Sequence, residues 1–406
     1  MTKKILVLTV LCGGGHNAAA KAVTKKIKEL NPDAEIEVVD MLKKYSIKDF
    51  YILKYGYSTL IGKLPFIYSI GYWLSNHGLY KNYYASGPLS LARKIAPRLY
   101  EDINKSKPDV IYCTHFLPAI AFSLLRQAYK VPPVVIASSL DYAVEPFFDK
   151  ARNIDYLTIP NELFIPGRLH SGYSLEQIKV TGIPTQEKFY AQYNKKELRK
   201  ELGLDPETNT ILIMFGGGEW GGTYKIYKQL IKAYKEKLQV IIINGSNKNT
   251  YDKIAKLKTP NNITLLNVGY TNEVEKYMGA SDLALTKAGG LSTTEMVNMN
   301  LPMLISTKVY GQEKRNLNFM VYHGVALPFK SFRDLHEKII TALKIKGHFQ
   351  ANFPLIKKKG AENITNLILN QPEAVYDDEY ISTLNYKKMK KHMKILLDEK
   401  IHITSK

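Results

Sequence analysis

Continuous apolar runs alternate with segments of helical spacing along most of this chain. Short runs of Val, Ile, Leu and Ala without a polar face are typical of strands buried on both sides, as in parallel sheets covered by helices. The first series of predicted strands comprises residues 5–10, 36–39, 110–113, 134–137 and 156–159, and the second comprises 211–215, 240–243, 263–268, 283–286 and 303–306. Helices are predicted between them at 18–30, 223–237, 271–278 and 314–322.

Two such series predict an α/β protein with two doubly wound domains. The length of 406 residues agrees, because one hydrophobic core rarely serves so long a chain. We place the N-terminal domain at residues 1–185, the C-terminal domain at 186–370 and a basic tail at 371–406. The first strand of each half runs into a glycine cluster, so a ligand between the domains would face the carboxyl ends of both sheets. These clusters are residues 13–15 and Gly216, Gly217 and Gly218.

The formal net charge of +20 and the isoelectric point near 9.5 predict an anionic partner: nucleic acid, anionic lipid or a phosphorylated substrate. The alternative is that the lysines only solvate the surface. Cys12 and Cys113 lack the spacing of a metal site and fit reduced, buried thiols in a cytosolic protein.

The N-terminus imitates a secretion signal, because two lysines precede an apolar run that ends at Cys12. The run is short, however, and Leu11 rather than a small residue precedes Cys12, so we interpret it as a first strand. No apolar run is as long as a transmembrane helix. We therefore expect a cytoplasmic protein, or one held on a membrane surface.

An aromatic segment at residues 50–84 interrupts the alternation. Tyr and Trp side chains with interleaved lysines favour the interface of an anionic membrane. An ordinary pair of core helices is the alternative, and stacking on single-stranded nucleic acid ranks last because no nucleic-acid module accompanies the segment. The basic tail is either an amphipathic helix on lipid or a solvated terminal helix. The aromatic segment at residues 50–84 includes Tyr68, Tyr72 and Trp73.

The most informative motif is residues 287–295, Lys-Ala-Gly-Gly-Leu-Ser-Thr-Thr-Glu, which follows a predicted strand and opens a predicted helix. Unpaired backbone N–H groups and the helix dipole make such a turn an anion pocket. Glu295 would lie about one turn inside the helix, where a carboxylate can accept hydrogen bonds from a diol such as ribose. The motif therefore predicts a nucleotide diphosphate site.

The first glycine cluster permits a different hypothesis. Residues 13–18 satisfy the G-x-G-x-x-A spacing after a strand, and Asp40 ends the next predicted strand. This spacing is typical of dinucleotide binding, so an oxidoreductase remains an alternative. The richer nucleotide-type chemistry nevertheless lies in the second half of the chain.

Several motifs together resemble the diacylglycerol glycosyltransferases, namely the monogalactosyldiacylglycerol synthases and the processive diacylglycerol glucosyltransferases, which are relatives of the peptidoglycan GlcNAc transferase. The resemblance covers most of residues 3–365, and the donor-side motifs are the specific ones. It rests on residues 13–16, Leu140-Asp141-Tyr142, 180–184, 268–272, 278–282, 286–290, Thr294-Glu295, 301–303 and Gly311-Gln312-Glu313.

The resemblance implies the two-domain GT-B fold, with the donor nucleotide in the C-terminal domain and the acceptor in the N-terminal domain. Carried over by position, Glu295 would bind the ribose and the backbone near Tyr270 the uracil, while Gln312 and Glu313 would meet the sugar hydroxyls. The diphosphate would lie among Gly216, Gly217, Gly218, Ala288, Gly289, Gly290, Ser292 and Thr293, and the acceptor or membrane near Gly14, Gly15, Tyr68, Tyr72 and Trp73.

The implied reaction is displacement with inversion, in which His16 or Asp141 deprotonates the acceptor hydroxyl and UDP leaves. Positioning of phosphate or acceptor is the alternative role of His16, and a structural carboxylate is the alternative role of Asp141. Where relatives place a histidine shortly after the Asp-Tyr pair, this chain has Glu145, which leaves the base open.

The expected partners are UDP-glucose or UDP-galactose, diacylglycerol and an anionic membrane on its cytoplasmic side, in a bacterium. No metal, other cofactor or nucleic acid is expected. The other possibilities are another lipid-linked acceptor and a relative that only binds.

Overall fold

The computed structural model describes residues 2–11, 14–52, 80–216, 222–308, 311–330, 335–389 and 392–393, with side chains from residue 87 onward in the third range. The chain forms two six-stranded, entirely parallel sheets, as the strand series predict. The four central strands of the C-terminal sheet, at residues 210–214, 238–243, 283–286 and 303–306, are buried along their whole length.

The N-terminal sheet has the strand order β2-β1-β3-β4-β5-β6. Its strands are β1 (Lys4–Thr9), β2 (Glu35–Asp40), β3 (Val110–Cys113), β4 (Val134–Ser138), β5 (Tyr156–Ile159) and β6 (Ile178–Val180). Its helices are α1 (Gly15–Leu30), α2 (Met41–Tyr45), α3 (Tyr80–Ser106), α4 (Phe116–Leu125) and α5 (Ile165–His170), with 3-10 turns at Pro146–Lys150 and Glu162–Phe164.

The C-terminal sheet has the order β12-β11-β10-β7-β8-β9. Its strands are β7 (Thr210–Met214), β8 (Leu238–Ile243), β9 (Ile263–Val268), β10 (Leu283–Thr286), β11 (Met303–Ser306) and β12 (Ala326–Phe329). Its helices are α6 (Lys195–Glu201), α7 (Gly222–Ala233), α8 (Lys248–Ala255), α9 (Val274–Ala280), α10 (Gly290–Asn298), α11 (Gln312–Tyr322), α12 (Leu335–Lys344) and α13 (Lys346–Asn352), with 3-10 turns at Glu187–Phe189 and Phe353–Leu355.

The chain crosses between the domains twice, and the two crossings run side by side. A Cβ atom on Gly360 would lie 2.4 Å from the carbonyl oxygen of Ile183, and one on Gly182 would lie 2.8 Å from that of Lys357. Gly182 has φ +83°. Because glycine has no Cβ and tolerates positive φ, these two positions allow the backbones to approach. The Asn363 amide also donates to the Thr181 carbonyl (2.8 Å).

After the second crossing the chain returns to the N-terminal domain. Helix α14 (Gly360–Leu369) packs on α1, and Ile364 and Ile368 are buried with residues of β1 and α1. Beyond α15 (Asp378–Ser382), Met389 and Met393 are buried in the N-terminal core. From Gly360 onward the chain therefore packs on the N-terminal domain, because the apolar face of α14 is complementary to α1.

The predicted membrane segments fall largely outside the described residues. Tyr68, Tyr72 and Trp73 lie there, as do residues 394–406 of the tail. Within the described ranges, no helix combines the length and the apolar character needed to cross a bilayer.

Candidate active site

The two domains bring the switch points of their sheets together. Strand order reverses between β1 and β3 in the first sheet, and between β7 and β10 in the second. Ligands of open α/β sheets bind at such points. Helix α1, which follows β1, contacts α10, which follows β10, and a Cβ atom on Gly15 would lie 3.8 Å from Leu291 Cδ1. The loop of Gly14 and Gly15 and the N-terminus of α10 therefore border one cleft.

His16 lies in the first turn of α1 at this cleft. Its Nδ1 lies 2.6 Å from the carbonyl oxygen of Thr114, at the end of β3. Because a carbonyl only accepts hydrogen bonds, Nδ1 carries a proton, and the neutral ring presents Nε2 as a lone pair. Burial lowers the pKa of His16 below its usual value, and the bond to Thr114 opposes this effect. The side chain is therefore a neutral base at physiological pH.

His115 is a site residue that the sequence reasoning missed. Its ring lies edge-on to His16, with centroids 4.6 Å apart. Its Nδ1 accepts the Leu117 N–H (3.0 Å) as the N-cap of α4, so the neutral ring carries its proton on Nε2. Burial holds the pKa of His115 well below its usual value, and the nearby His16 lowers it further. The signal in the sequence that could have identified His115 is its position just after the predicted strand at residues 110–113.

Asp141 follows β4 and faces the other domain. Its Oδ1 accepts a hydrogen bond from the Asn316 amide (2.7 Å), and the carboxylate also accepts one from the backbone N–H of Gly290. Burial raises the pKa of Asp141 to about 6, and Glu313 adds to the rise, whereas the Asn316 bond and Lys287 oppose it. The carboxylate therefore joins its own loop to the start of α10.

Glu145 is a second half-buried carboxyl group in the same loop. Ser139 donates to its Oε2 (3.0 Å). Burial raises the pKa of Glu145 to about 7, Asp141 adds to the rise, and Arg168 opposes it. Arg168 donates to the backbone carbonyl of Glu145 (2.9 Å), which fixes the loop. The departure noted in the sequence thus lies beside Asp141.

The N-terminus of α10 is built for close approach. Its N-cap, Gly289, supplies no side-chain cap, and a Cβ atom on Gly290 would lie 2.0 Å from the Leu140 carbonyl oxygen. Ser292 in the first turn is half-buried. The Thr293 hydroxyl is fully buried and donates to the Gly289 carbonyl (2.8 Å), so its proton is used within the helix. The Gly290 N–H is taken by Asp141 and the Thr293 N–H by the Gly289 carbonyl, which leaves the N–H groups of Leu291 and Ser292 and the Ser292 hydroxyl as the donors suited to an anion.

Lys287 and Glu313 form an ion pair beside this turn. Gly216 has φ +85°, and a Cβ atom there would lie 3.4 Å from Lys287 Cε. Gln312 and Glu313 open α11, directly after Gly311. The structure thus brings together the predicted phosphate turn, the first residue of the second glycine cluster and the predicted sugar-binding pair. Gly217 and Gly218 lie outside the described residues.

Glu295 lies in the second turn of α10. Burial raises the pKa of Glu295 to about 8; Lys188 opposes the rise and Glu275 adds to it. Lys188 also pairs with Glu275 (2.6 Å) and donates to the Asn272 carbonyl (2.5 Å). Tyr270, with its side chain largely exposed, donates to Asn272 Oδ1 (3.0 Å). Lys188 therefore connects the predicted uracil loop with the predicted ribose carboxylate.

Asp40, the candidate ribose ligand of the dinucleotide hypothesis, has a structural role. Its Oδ2 accepts the Leu11 N–H and its Oδ1 the Lys43 N–H, both at 2.9 Å. The carboxylate caps α2 and holds the end of β1, so each of its oxygens already accepts one backbone hydrogen bond. In the part of the chain that the structure describes, no group of three or more His, Cys, Asp or Glu residues is arranged to hold a metal ion.

Comparisons with known proteins match both halves of the chain. Residues 16–185 match the monogalactosyldiacylglycerol (MGDG) synthase family, and residues 224–344 match the glycosyltransferase family 28 C-terminal domain. A chloroplastic monogalactosyldiacylglycerol synthase of Spinacia oleracea is 26% identical over 83% of this chain and 65% of its own length. A processive diacylglycerol beta-glucosyltransferase of Staphylococcus aureus is 27% identical over 90% of this chain and 87% of its own.

The chain spans just under two thirds of the first plant relatives, 65% and 64% of their lengths. Among solved structures, Acinetobacter baumannii MurG aligns with a TM-score of 0.58 at 14% identity, covering 90% of this chain and 99% of MurG. The kitacinnamycin glycotransferase aligns with a TM-score of 0.59 at 11% identity, covering 91% and 99%. The predicted GT-B fold and the predicted family resemblance are both confirmed.

Proposed function

We propose that this chain, whose two halves match the monogalactosyldiacylglycerol synthase family and the glycosyltransferase family 28 C-terminal domain, transfers a hexose from a UDP-sugar to diacylglycerol, or to a glycosyl-diacylglycerol, with inversion. The product is a membrane glycolipid, and the enzyme works as a peripheral protein on the cytoplasmic side of an anionic membrane. UDP-glucose and UDP-galactose are the candidate donors.

One observation carries the proposal: the acceptor-side loop containing Asp141 directly contacts the start of α10. The Gly290 N–H donates to the Asp141 carboxylate, and the Leu140 carbonyl occupies the space that a side chain on residue 290 would need. A diphosphate at α10 would therefore hold its sugar at the border between the domains. His16 lies across the same border, at the end of α1 that contacts α10.

The chemistry follows from these positions. His16 Nε2 takes the proton of the acceptor hydroxyl, the hydroxyl oxygen attacks the anomeric carbon, and the bond to the UDP oxygen breaks on the opposite face. The N–H groups of α10 and the Lys287 ammonium stabilise the charge that develops on the leaving diphosphate. We propose that this stabilisation works without a metal ion.

Of the two candidate bases, we favour His16. Its Nδ1 is committed to the Thr114 carbonyl, which leaves Nε2 free to accept a proton. Asp141 already accepts hydrogen bonds from Asn316 and Gly290 and is suited to positioning instead.

The test is a transfer assay with purified protein, diacylglycerol in anionic vesicles and a panel of UDP-sugars. We expect UDP release and a glycosylated lipid with one hexose donor, and retention of activity in the presence of a chelator. Vesicles without diacylglycerol are the control. UDP release from none of the sugars, together with binding of NAD(P)H, would overturn the transferase proposal in favour of the oxidoreductase.

Replacing Glu295 by alanine is expected to weaken UDP binding by roughly 10- to 100-fold, the value of a hydrogen bond to a charged group. Turnover at saturating donor should change much less, because the ribose lies away from the reacting carbon. Burial raises the pKa of Glu295 to about 8, and a ribose diol donates to the ionised form. Affinity for UDP should therefore rise as the pH rises from 6.5 to 8.5, as measured by calorimetry.

Uridine serves as a second ligand, because it has no phosphate to titrate over this range. The Glu295→Gln variant should bind with a flat pH profile, and Glu273→Gln, an exposed neighbour, should behave as the wild type. A wild-type pH profile in Glu295→Gln would exclude Glu295 as the ribose ligand.

A further inference from the structure

Asn316 is a fully buried amide at the border between the domains. Its Oδ1 accepts the backbone N–H of Tyr142 (2.6 Å), and its Nδ2 donates to Asp141 Oδ1 (2.7 Å) and to the Ala288 carbonyl (2.9 Å). The Tyr142 backbone N–H can only donate and the Ala288 carbonyl can only accept a hydrogen bond. The positions of the oxygen and the nitrogen in the Asn316 amide are therefore fixed. One side chain thus binds the acceptor-side loop and the donor turn at once.

The surroundings of Asn316 show that its helix contacts the N-terminal domain at more than one point. One turn before it, Glu313 pairs with Lys287. One turn after it, Phe319 stacks on Tyr142, with ring centroids 4.4 Å apart. The Tyr142 hydroxyl in turn lies 2.8 Å from Thr294 Oγ1 in α10. One face of α11 therefore carries the donor-sugar residues, the amide and the aromatic contact.

We infer that Asn316 is a positioning residue that holds Asp141 against the N-terminus of α10 and thereby keeps the acceptor-side loop closed on the donor turn. The inference rests on the proposed function and deepens it. The donor turn, through Ala288, and the acceptor loop, through Asp141 and Tyr142, cannot separate without breaking the same amide's hydrogen bonds. A buried amide that loses these partners leaves several polar groups unpaired, which makes the closed arrangement well defined.

The charges around Asp141 decide how to test this inference. Lys287 and Glu313 face it from the donor domain and Glu145 from its own loop. Arg168 and Arg315 face Glu145 in turn. Replacing Asn316 by aspartate would oppose one carboxylate with another, unless one proton bridges them. Acid should therefore restore the contact in Asn316→Asp but not in Asn316→Ala.

The experiment measures transfer kinetics against pH, UDP affinity by calorimetry and domain closure by small-angle X-ray scattering. Asn316→Ala is expected to lower kcat about 100-fold, the effect of a small misplacement of reacting groups, with UDP affinity within about threefold of the wild type. Asn316→Asp should have its activity optimum displaced to acid pH. Asn318→Ala, an exposed position on the same helix, is the matched control.

Asp141→Asn is the second variant, because its amide oxygen can still accept the hydrogen bond from Asn316 without a negative charge, and it should remain closed by scattering. Parallel losses of UDP affinity, kcat and melting temperature in Asn316→Ala, or identical pH profiles of Asn316→Asp and Asn316→Ala, would overturn the inference. Failure of the proposed function can be told apart from failure of this inference. If the proposed function is wrong, the wild type releases no UDP, but scattering still reports whether Asn316→Ala opens the domains.

Discussion

Replacing His16 by alanine is expected to lower kcat by roughly 10²- to 10⁴-fold, the usual contribution of a general base, while UDP affinity stays unchanged. The reason is the tautomer: the Thr114 carbonyl holds the proton on Nδ1, so Nε2 is the atom that accepts the acceptor's proton. Burial lowers the pKa of His16, and a base works only when neutral. The acid limb of kcat should therefore lie below the usual histidine pKa of about 6.5.

The measurement is transfer to diacylglycerol in vesicles at saturating donor, with UDP binding followed separately by calorimetry. His348→Ala, at an exposed position in the other domain, is the control and should keep full activity. Wild-type turnover in His16→Ala would return the role of base to Asp141.

Replacing Gly290 by alanine is expected to reduce transfer by at least about 100-fold, the cost of displacing reacting groups by about 1 Å. The new methyl carbon would lie 2.0 Å from the Leu140 carbonyl oxygen and 3.0 Å from Asp141 Oδ1. The Leu140 carbonyl belongs to the backbone, so no side-chain rotation can relieve this contact and the domains must separate. Scattering should report a larger particle, and UDP should still bind to the C-terminal domain, although more weakly.

Gly347→Ala provides the control, because a Cβ atom there meets nothing within 4 Å. Gly289→Ala provides a sharper comparison, since its Cβ atom would lie 4.0 Å from Ser292 Oγ and would not push on the other domain. Closure by scattering should therefore survive in Gly289→Ala and fail in Gly290→Ala. Equal closure in both variants would show that the contact at residue 290 is not what sets the spacing of the domains.

The central strands could be predicted because burial on both faces removes the polar positions that would make the pattern ambiguous. The edge strands β6 and β12 were not predicted from the sequence, because they are not buried along their whole length and lack a continuous pattern. β6 has three residues with Lys179 in the middle, and β12 contains Pro328, which is tolerated only where no ladder donor is needed. Long apolar strands can be recognised from the sequence alone, whereas a short edge strand forms because a neighbouring strand is there to pair with it.

The candidate site, likewise, could be predicted only in part. The motif at residues 287–295 predicted a helix N-terminus beside a strand, and the structure has one. Asn316 and His115 were missed, because their importance comes from partners 175 and 99 residues away in the chain, Asp141 and His16. Spacing along a chain reveals local turns, but it does not reveal which buried amide will meet which carboxylate.

The return of α14 to the first domain has a consequence for synthesis of the chain. The apolar surface of α1 and β1 that Ile364 and Ile368 cover is translated more than 300 residues before its cover. The domain that leaves the ribosome first is therefore the last to be completed, and the C-terminal sheet can form while the first core is still partly open. A fragment cut at the first crossing would lack part of its own interior, so the two halves of this protein are not independent modules that can be exchanged by a single splice.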